Sequence, residues 1–411
     1  MEQNTSQYGL GVKAAALSTC ILLYGAAFVA PAMGAIYKAF PDTNPEIIKM
    51  IVSLPTIMNV IFGIVAGQLA RRFRVKNILY VAMFCILVGG AMPGFFGNSI
   101  KFIFFAKAIF GIGVGLSFTL NTAVVADLFT GKERQSLMGY KSAVGATAAI
   151  IFSLLGGYLA NMNWRYTFYG YFLFIPVFLL IILKLPNYGV MAKNEELVKE
   201  EGPKKLSSLT PATFAWSFVH FIDTAMMFSF MTSVALVITQ LKIGTPAQAG
   251  QITAIMNLFN FLGALVAGRF IFRYLGKYSI PLGILLKGLA LLILVLSNTM
   301  TGYYLATVLF GFGFGTYNPA MYLLIASTAK RSASALAMSV FIAFQGCGQF
   351  LTTLILMGVT SMLGITGPTA GWKVASTVLL VLGIVVGIVM VLQKNKSFDD
   401  SINSSKAVSA K

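Results

Sequence analysis

The chain has 411 residues, 57% of them hydrophobic and only 10% charged, with a formal net charge of +18. No soluble fold covers that much apolar surface with so few charges, which excludes a soluble enzyme, a nucleic-acid binder and a disordered scaffold. The apolar residues fall in long runs rather than short alternating ones, so the chain reads as an integral membrane protein built of helices, not a barrel.

Residues 1–12 are polar and Lys13 is basic. The apolar run 14–36 that follows is too long for the core of a signal peptide and predicts a retained first membrane span. Five further runs, at 47–70, 77–97, 101–127, 137–160 and 165–185, have the length a bilayer needs. Residues 187–209 carry Glu195, Glu196, Lys199, Glu200, Glu201, Lys204 and Lys205 and read as a cytoplasmic linker. Six more runs occupy 212–238, 249–271, 279–297, 302–327, 334–362 and 371–392. The expectation is an all-α chain of twelve transmembrane helices. One six-helix bundle covers 1–186, the linker 187–209, a second bundle 210–393, and a disordered cytoplasmic tail 394–411.

Twenty-two of the thirty Lys and Arg residues fall on the side that holds both termini, six on the other, and Lys107 and Lys287 within spans. Basic loops stay in the cytoplasm. This predicts a multi-pass protein of the cell membrane with both termini inside, and explains the excess positive charge without nucleic acid. Cys20, Cys85 and Cys347 lie far apart in apolar runs, and His220 is the only histidine, so neither disulfide, metal nor cofactor is expected.

The two halves share a register. Gly111-Ile-Gly113-Val-Gly115 in span 4 returns as Gly311-Phe-Gly313-Phe-Gly315 in span 10. Val65-Ala66-Gly67 and the basic stretch after it return as Val266-Ala267-Gly268 and Phe272–Lys277. Two segments displaced by 200 and 201 positions indicate duplication, the layout of a transporter that rocks about a central site.

These segments resemble the major facilitator superfamily. The loop after span 2, Gly67-Gln-Leu-Ala-Arg71-Arg72-Phe-Arg74-Val-Lys76, is similar to that family's G-x-x-x-D-R-x-G-R-K signature. Gly67, Arg72 and Lys76 match, whereas Arg71 stands for the Asp and Arg74 for the second Gly. A degenerate copy keeps Gly268, Arg273 and Lys277. Span 4 resembles R-x-x-x-G-x-x-x-G, with Lys107 for Arg, then Gly111 and Gly115. Ala126–Phe129, Lys132–Arg134, Asn163–Arg165 and Phe168 fit the family's loops. Only Gly156-Gly157 remains of the antiporter signature, its preceding Gly-Pro being Phe152-Ser153. The resemblance implies two pseudo-symmetric six-helix bundles. It also implies a cytoplasmic latch involving Gly67, Arg71, Arg72, Asp127, Arg134, Gly268 and Arg273. Because Arg71 removes the usual carboxylate, the expectation is a weaker or rewired latch in which Arg71 or Arg72 pairs with Asp127, the alternative being that these residues serve only topology and headgroup contact.

Ionised groups at membrane depth are costly, so each asks for a reason. Asp223 lies near the middle of span 7 with His220 on the same helix face. The pair suits proton coupling, or a fixed hydrogen-bonded brace. Lys107 suits a substrate carboxylate or charge exchange with Asp223, or else snorkels to the outer interface. Lys287, mid-span 9, is expected to be structural or lipid-facing. Asn59, Asn257, Asn260, Asn318, Gln345 and Gln349 are candidate substrate contacts, or interhelical hydrogen bonds. Tyr24, Phe28, Tyr317 and Tyr322 are a candidate aromatic lining, or ordinary packing. Pro31 and Pro319 are hinges or static kinks.

The expected function is secondary active transport of a small organic solute, coupled to protons and not to ATP, since no GxxxxGK[ST] loop occurs. Lys107 favours an organic anion or carboxylate. An efflux pump for amphipathic compounds and an uncoupled facilitator are the alternatives. A receptor or scaffold would need neither paired glycine motifs nor buried charges, and no enzymatic constellation is present. The expected partners are the solute, protons and membrane lipids, around a monomer.

Overall fold

Hydrocarbon offers a peptide group no hydrogen-bond partner, so each crossing segment satisfies its own backbone as a helix. The computed structural model describes residues 8–187, 209–329 and 333–392, without the side chains of Arg273 and Ala335. Among the described residues there is no strand, and twelve helices are long and apolar enough to cross a membrane. Spans 1–6 are Ile21–Ala39, Pro45–Leu69, Val75–Phe96, Ile100–Leu128, Gly131–Met162 and Tyr166–Lys184. Spans 7–12 are Pro211–Gln240, Pro246–Ile271, Gly276–Leu296, Met300–Thr328, Leu336–Met362 and Ala370–Leu392. The linker expected at 187–209 and the tail at 394–411 lie almost wholly outside the described residues.

Helix ends follow local chemistry. Asn44 accepts a hydrogen bond from the Glu46 amide with Pro45 opening span 2, and Thr210 accepts from the Thr213 amide with Pro211 opening span 7. Span 11 stops at Gly364, whose φ of +63° suits a residue without a side chain.

The first span departs from the continuous run 14–36. A helix over Leu10–Ser18 gives way to 3-10 turns over Ile21–Phe28 and Ala30–Ala32 before the α-helix resumes at Met33. The cause is local. The side chains of Ser18, Thr19 and Cys20 donate back to the Ala15, Ala16 and Leu17 carbonyls, and Pro31 has no amide to donate. Pro319, by contrast, sits inside an unbroken α-helix. Span 8 ends in a π-helical turn, Ala267–Ile271, around Gly268.

The described chain divides into two compact units, Met1–Gly202 with Pro246–Gln251, and Pro203–Thr245 with Ile252–Lys411. Each wears apolar side chains outside, such as Ile64, Phe84 and Leu183 on the first and Leu305, Val381 and Ile388 on the second. Each buries Ser, Thr and charged groups inside. This is the arrangement lipid demands, because apolar burial no longer drives helices together and close packing must.

The glycine runs supply that packing in the same way in both units. A Cβ at Gly111 would lie 2.7 Å from the Met58 Cβ on span 2, and one at Gly113 would lie 2.8 Å from the Ile86 nitrogen on span 3. In the second unit, a Cβ at Gly311 would lie 2.6 Å from the Met256 carbonyl on span 8, and one at Gly313 would lie 3.2 Å from the Lys287 nitrogen on span 9. The outer glycines thus admit one neighbour and the central glycine another. Ile86 and Lys287 occupy equivalent places.

Candidate functional site

That equivalence locates the chemistry. Where the first unit has Ile86, the second has a lysine with no exposed surface. Gly283 lets span 9 approach span 10 until a Cβ there would lie 2.7 Å from the Tyr317 Cβ. Lys287 Nζ accordingly lies 3.8 Å from the centre of the Tyr317 ring and 2.6 Å from each carboxylate oxygen of Asp223 on span 7. A cation held by two carboxylate oxygens and a ring face is well compensated. Of the two places expected of Lys287, structural or lipid-facing, the lipid-facing one is excluded. Its side chain turns into the unit because the glycines leave room there and because Asp223 needs a counter-charge.

His220 stands beside this pair rather than in it. Its Nδ1 and the Tyr317 hydroxyl are 2.9 Å apart, and its ring stacks on Phe341 with centroids 4.2 Å apart. Thr224 approaches Nε2 at 3.5 Å, and the Gln345 amide interacts with the ring. A fixed Asp223–His220 hydrogen-bonded brace is thus not what spans 7, 9 and 10 build, because each side chain is already taken. The Tyr322 hydroxyl donates to Gln345 Oε1 at 3.4 Å. One connected set therefore runs from Asp223 and Lys287 through Tyr317 to His220, Gln345 and Tyr322.

Among the described residues no hydrogen bond joins the other amides to it. Asn257 donates to the Thr253 carbonyl of its own helix at 2.9 Å. Asn260, Asn318 and Gln349 are half-buried and make no side-chain hydrogen bond among the described residues. Asn59, in the first unit, has a buried Oδ1 without a hydrogen-bond partner. Tyr24 is half-buried against Gly145 on span 5. A groove of about 500 Å³ between spans 9 and 12, from Tyr278 to Leu392, touches none of the network and offers almost no polar atoms.

Lys107 is solved differently. It is 2% exposed, donates to the Tyr171 hydroxyl at 3.1 Å, and has the Phe110, Phe168 and Tyr171 rings within 5.0 Å. Tyr171 in turn donates to the Gly25 carbonyl at 2.9 Å. Neither snorkelling nor a carboxylate partner is seen, since three π faces already surround the ammonium.

At the latch positions, Arg71, Arg72 and Arg74 are exposed and form no ion pair among the described residues. The expected pairing of Arg71 or Arg72 with Asp127 is absent. Arg134, on the helix that follows the loop, is the charge near Asp127, and Glu133 pairs with Lys13 at 2.7 Å. A Cβ at Gly67 or at Gly268 would meet nothing within 4 Å, so packing does not require glycine at either. The Arg273 side chain lies outside the described set.

The Major Facilitator Superfamily profile matches residues 15–222 and 216–408, one match per half. The chain belongs to this superfamily. Among curated relatives, the multidrug transporter MdtP of Bacillus subtilis is 32% identical over 107 residues, 26% of this chain and 19% of that protein. Multidrug resistance protein 1 of the same organism is 25% identical over 201 residues, 44% of this chain and 51% of that one. The chain thus spans between a fifth and about half the length of these relatives. Of solved structures, a POT-family transporter in complex with 5-aminolevulinic acid superposes with a TM-score of 0.75 at 14% identity, over 94% of this chain and 98% of that one. A D-xylose–proton symporter does so with a TM-score of 0.68 at 14% identity, over 92% and 97%. At such identities the likeness is one of fold, and it is the twelve-helix, two-bundle fold of the superfamily.

Proposed function

We propose that this superfamily member is a proton-driven secondary transporter of a small organic solute, with Asp223 as the proton carrier and Lys287 as its counter-ion. The supporting observation is the Asp223–Lys287 pair itself, 2.6 Å at both oxygens and almost wholly buried. A buried pair is seldom the cheapest way to hold helices together, because well-packed apolar residues do as well or better. The equivalent place in the first unit is filled by Ile86, so the fold does not require a charge there. A function explains what stability does not.

In this reading a proton from one aqueous side neutralises Asp223 and breaks the pair. Lys287 is then left with the Tyr317 ring, and its positive charge becomes available to an anionic group of the solute. Loss of the proton to the other side restores the pair and expels the solute. His220, hydrogen-bonded to Tyr317, relays the state of the pair to Gln345 and span 11. Asn318, Gln345 and Gln349, with Asn257 and Asn260 of the same unit, supply solute contacts. The chain sits in the cell membrane with both termini in the cytoplasm, as the placement of its basic loops favours.

The multidrug transporters among the relatives favour a second reading, export of amphipathic compounds by the same coupling. One experiment separates these. Proteoliposomes carrying the wild type or Asp223→Asn take up a mixed panel of metabolites and amphipathic cations under an imposed pH gradient. Gradient-driven flux of an organic anion that is lost in the variant supports the proposal. Gradient-driven flux of amphipathic cations instead supports export. Flux indifferent to gradient and variant would mean facilitation and would overturn the role given to Asp223.

A further inference from the structure

Spans 2 and 4 run in the same direction and pack along their length. Gly111 and Gly115 admit span 2, and Thr119 donates to the Gly63 carbonyl at 2.8 Å. Their ends, Leu69 and Leu128, therefore lie at one face of the first unit, and the segments that follow, 70–74 and 129–134, share it. That face is strongly basic. Arg71, Arg72, Arg74, Lys132 and Arg134 are all exposed.

The acids nearby do not neutralise it. Glu133 is occupied by Lys13 at 2.7 Å, and Asp127 has Arg134 as its neighbouring charge. Lys76 does not add to the surface, because its ammonium donates to the Leu185 carbonyl at 2.7 Å and lies over the Tyr80 ring. Four cations, Arg71, Arg72, Arg74 and Lys132, thus remain without an acidic partner among the described residues. Between the arginines stands Phe73, with 54% of its surface exposed.

Three exposed arginines flanking an exposed aromatic residue in sequence, at the end of a membrane span, match the chemistry of a bilayer surface. The ring enters the boundary of the hydrocarbon, and the guanidiniums meet phosphates in the planar, two-pronged geometry they share with carboxylates. A soluble protein partner would instead require the ring to leave the membrane boundary. We propose that the 70–74 loop and the 129–134 turn bind anionic phospholipid headgroups, so that lipid phosphate supplies the negative charge that Arg71 removes from this loop. The choice of leaflet rests on the orientation proposed above; the lipid chemistry does not.

Native mass spectrometry of the purified full chain, titrated with phosphatidylglycerol or with phosphatidylcholine, tests this. The wild type is expected to retain phosphatidylglycerol preferentially. Each arginine replaced by glutamine is expected to lower that preference about fivefold, the effect of one basic residue near an anionic surface. The triple variant R71Q/R72Q/R74Q then retains the two lipids alike. Lys101→Gln, an exposed lysine at the far end of span 4, is expected to leave the preference unchanged. Should the triple variant fail to remain monodisperse, the wild type alone decides, because the preference must fall as salt rises from ~0.1 M to ~1 M. Equal retention of both lipids by the wild type, or a preference untouched by salt, overturns the proposal. So does displacement of the lipid by millimolar glycerol 3-phosphate, which would make this a site for a soluble phosphate.

Discussion

A carboxylate at membrane depth costs at least ~2.5–3.5 kcal/mol, and Asp223 recovers that cost only through Lys287. Removing one partner of such a pair leaves a bare buried charge and destabilises by about 3–5 kcal/mol. Asp223→Asn and Lys287→Met are therefore each expected to lower the unfolding temperature in detergent markedly. The double variant D223N/K287M is expected to recover most of that loss. Proton-driven flux is not expected to return with it, and that split between stability and transport separates a coupling pair from a brace. Lys107 offers the contrast. Its cage of Phe110, Phe168 and Tyr171 is apolar, so Lys107→Met is expected to fold with near-normal thermal stability, whereas Lys107→Glu, which sets an anion against three ring faces, is not. Equal damage from both would contradict the cage.

At the scale of elements, the glycines decide how near the helices come. Gly283→Ala would place a methyl group 2.7 Å from the Gly313 carbonyl and from the Tyr317 Cβ. Overpacking of this kind costs about 1–3 kcal/mol and would also push Tyr317 off Lys287. Gly358→Ala on span 11, where a Cβ meets nothing within 4 Å, is the matched control and is expected to be neutral. Thermal unfolding of the two variants checks both. Much of this was legible in the sequence. The two glycine runs announced the repeat, and run length with composition placed most helix ends to within a few residues, although spans 1 and 5 begin at Ile21 and Gly131 rather than at 14 and 137. What escaped was contact between helices distant in sequence. Asp223 and Lys287 are separated by 64 positions and were each recognised as costly, yet linear spacing cannot pair them. The signal that joins them is the shared register, in which Gly313 faces position 287 as Gly113 faces Ile86. The interruption of span 1 escaped for another reason. Hydropathy reports apolarity, and the Ser18, Thr19 and Cys20 back-bonds that loosen the helix do not change it.

At the scale of the whole molecule, the proposed transport requires alternation between two states, which charged loops would bias. Arg71 and Arg72 are exposed and make no ion pair with Asp127, so Asp127→Asn is expected to change transport rate less than twofold; a collapse of transport would restore the family's latch to this chain. Both halves match the superfamily, but the chemistry is unequal. The first unit encloses Lys107 in a cage of rings, and the second a compensated ion pair joined to a tyrosine and a histidine. On the function proposed above, this second network carries a proton with each solute. A pH-sensitive dye trapped in proteoliposomes tests that most directly. Addition of the transported solute, with no imposed gradient, is expected to shift internal pH in the wild type and to leave it still in Asp223→Asn. Solute uptake by the wild type with no movement of internal pH would contradict the account.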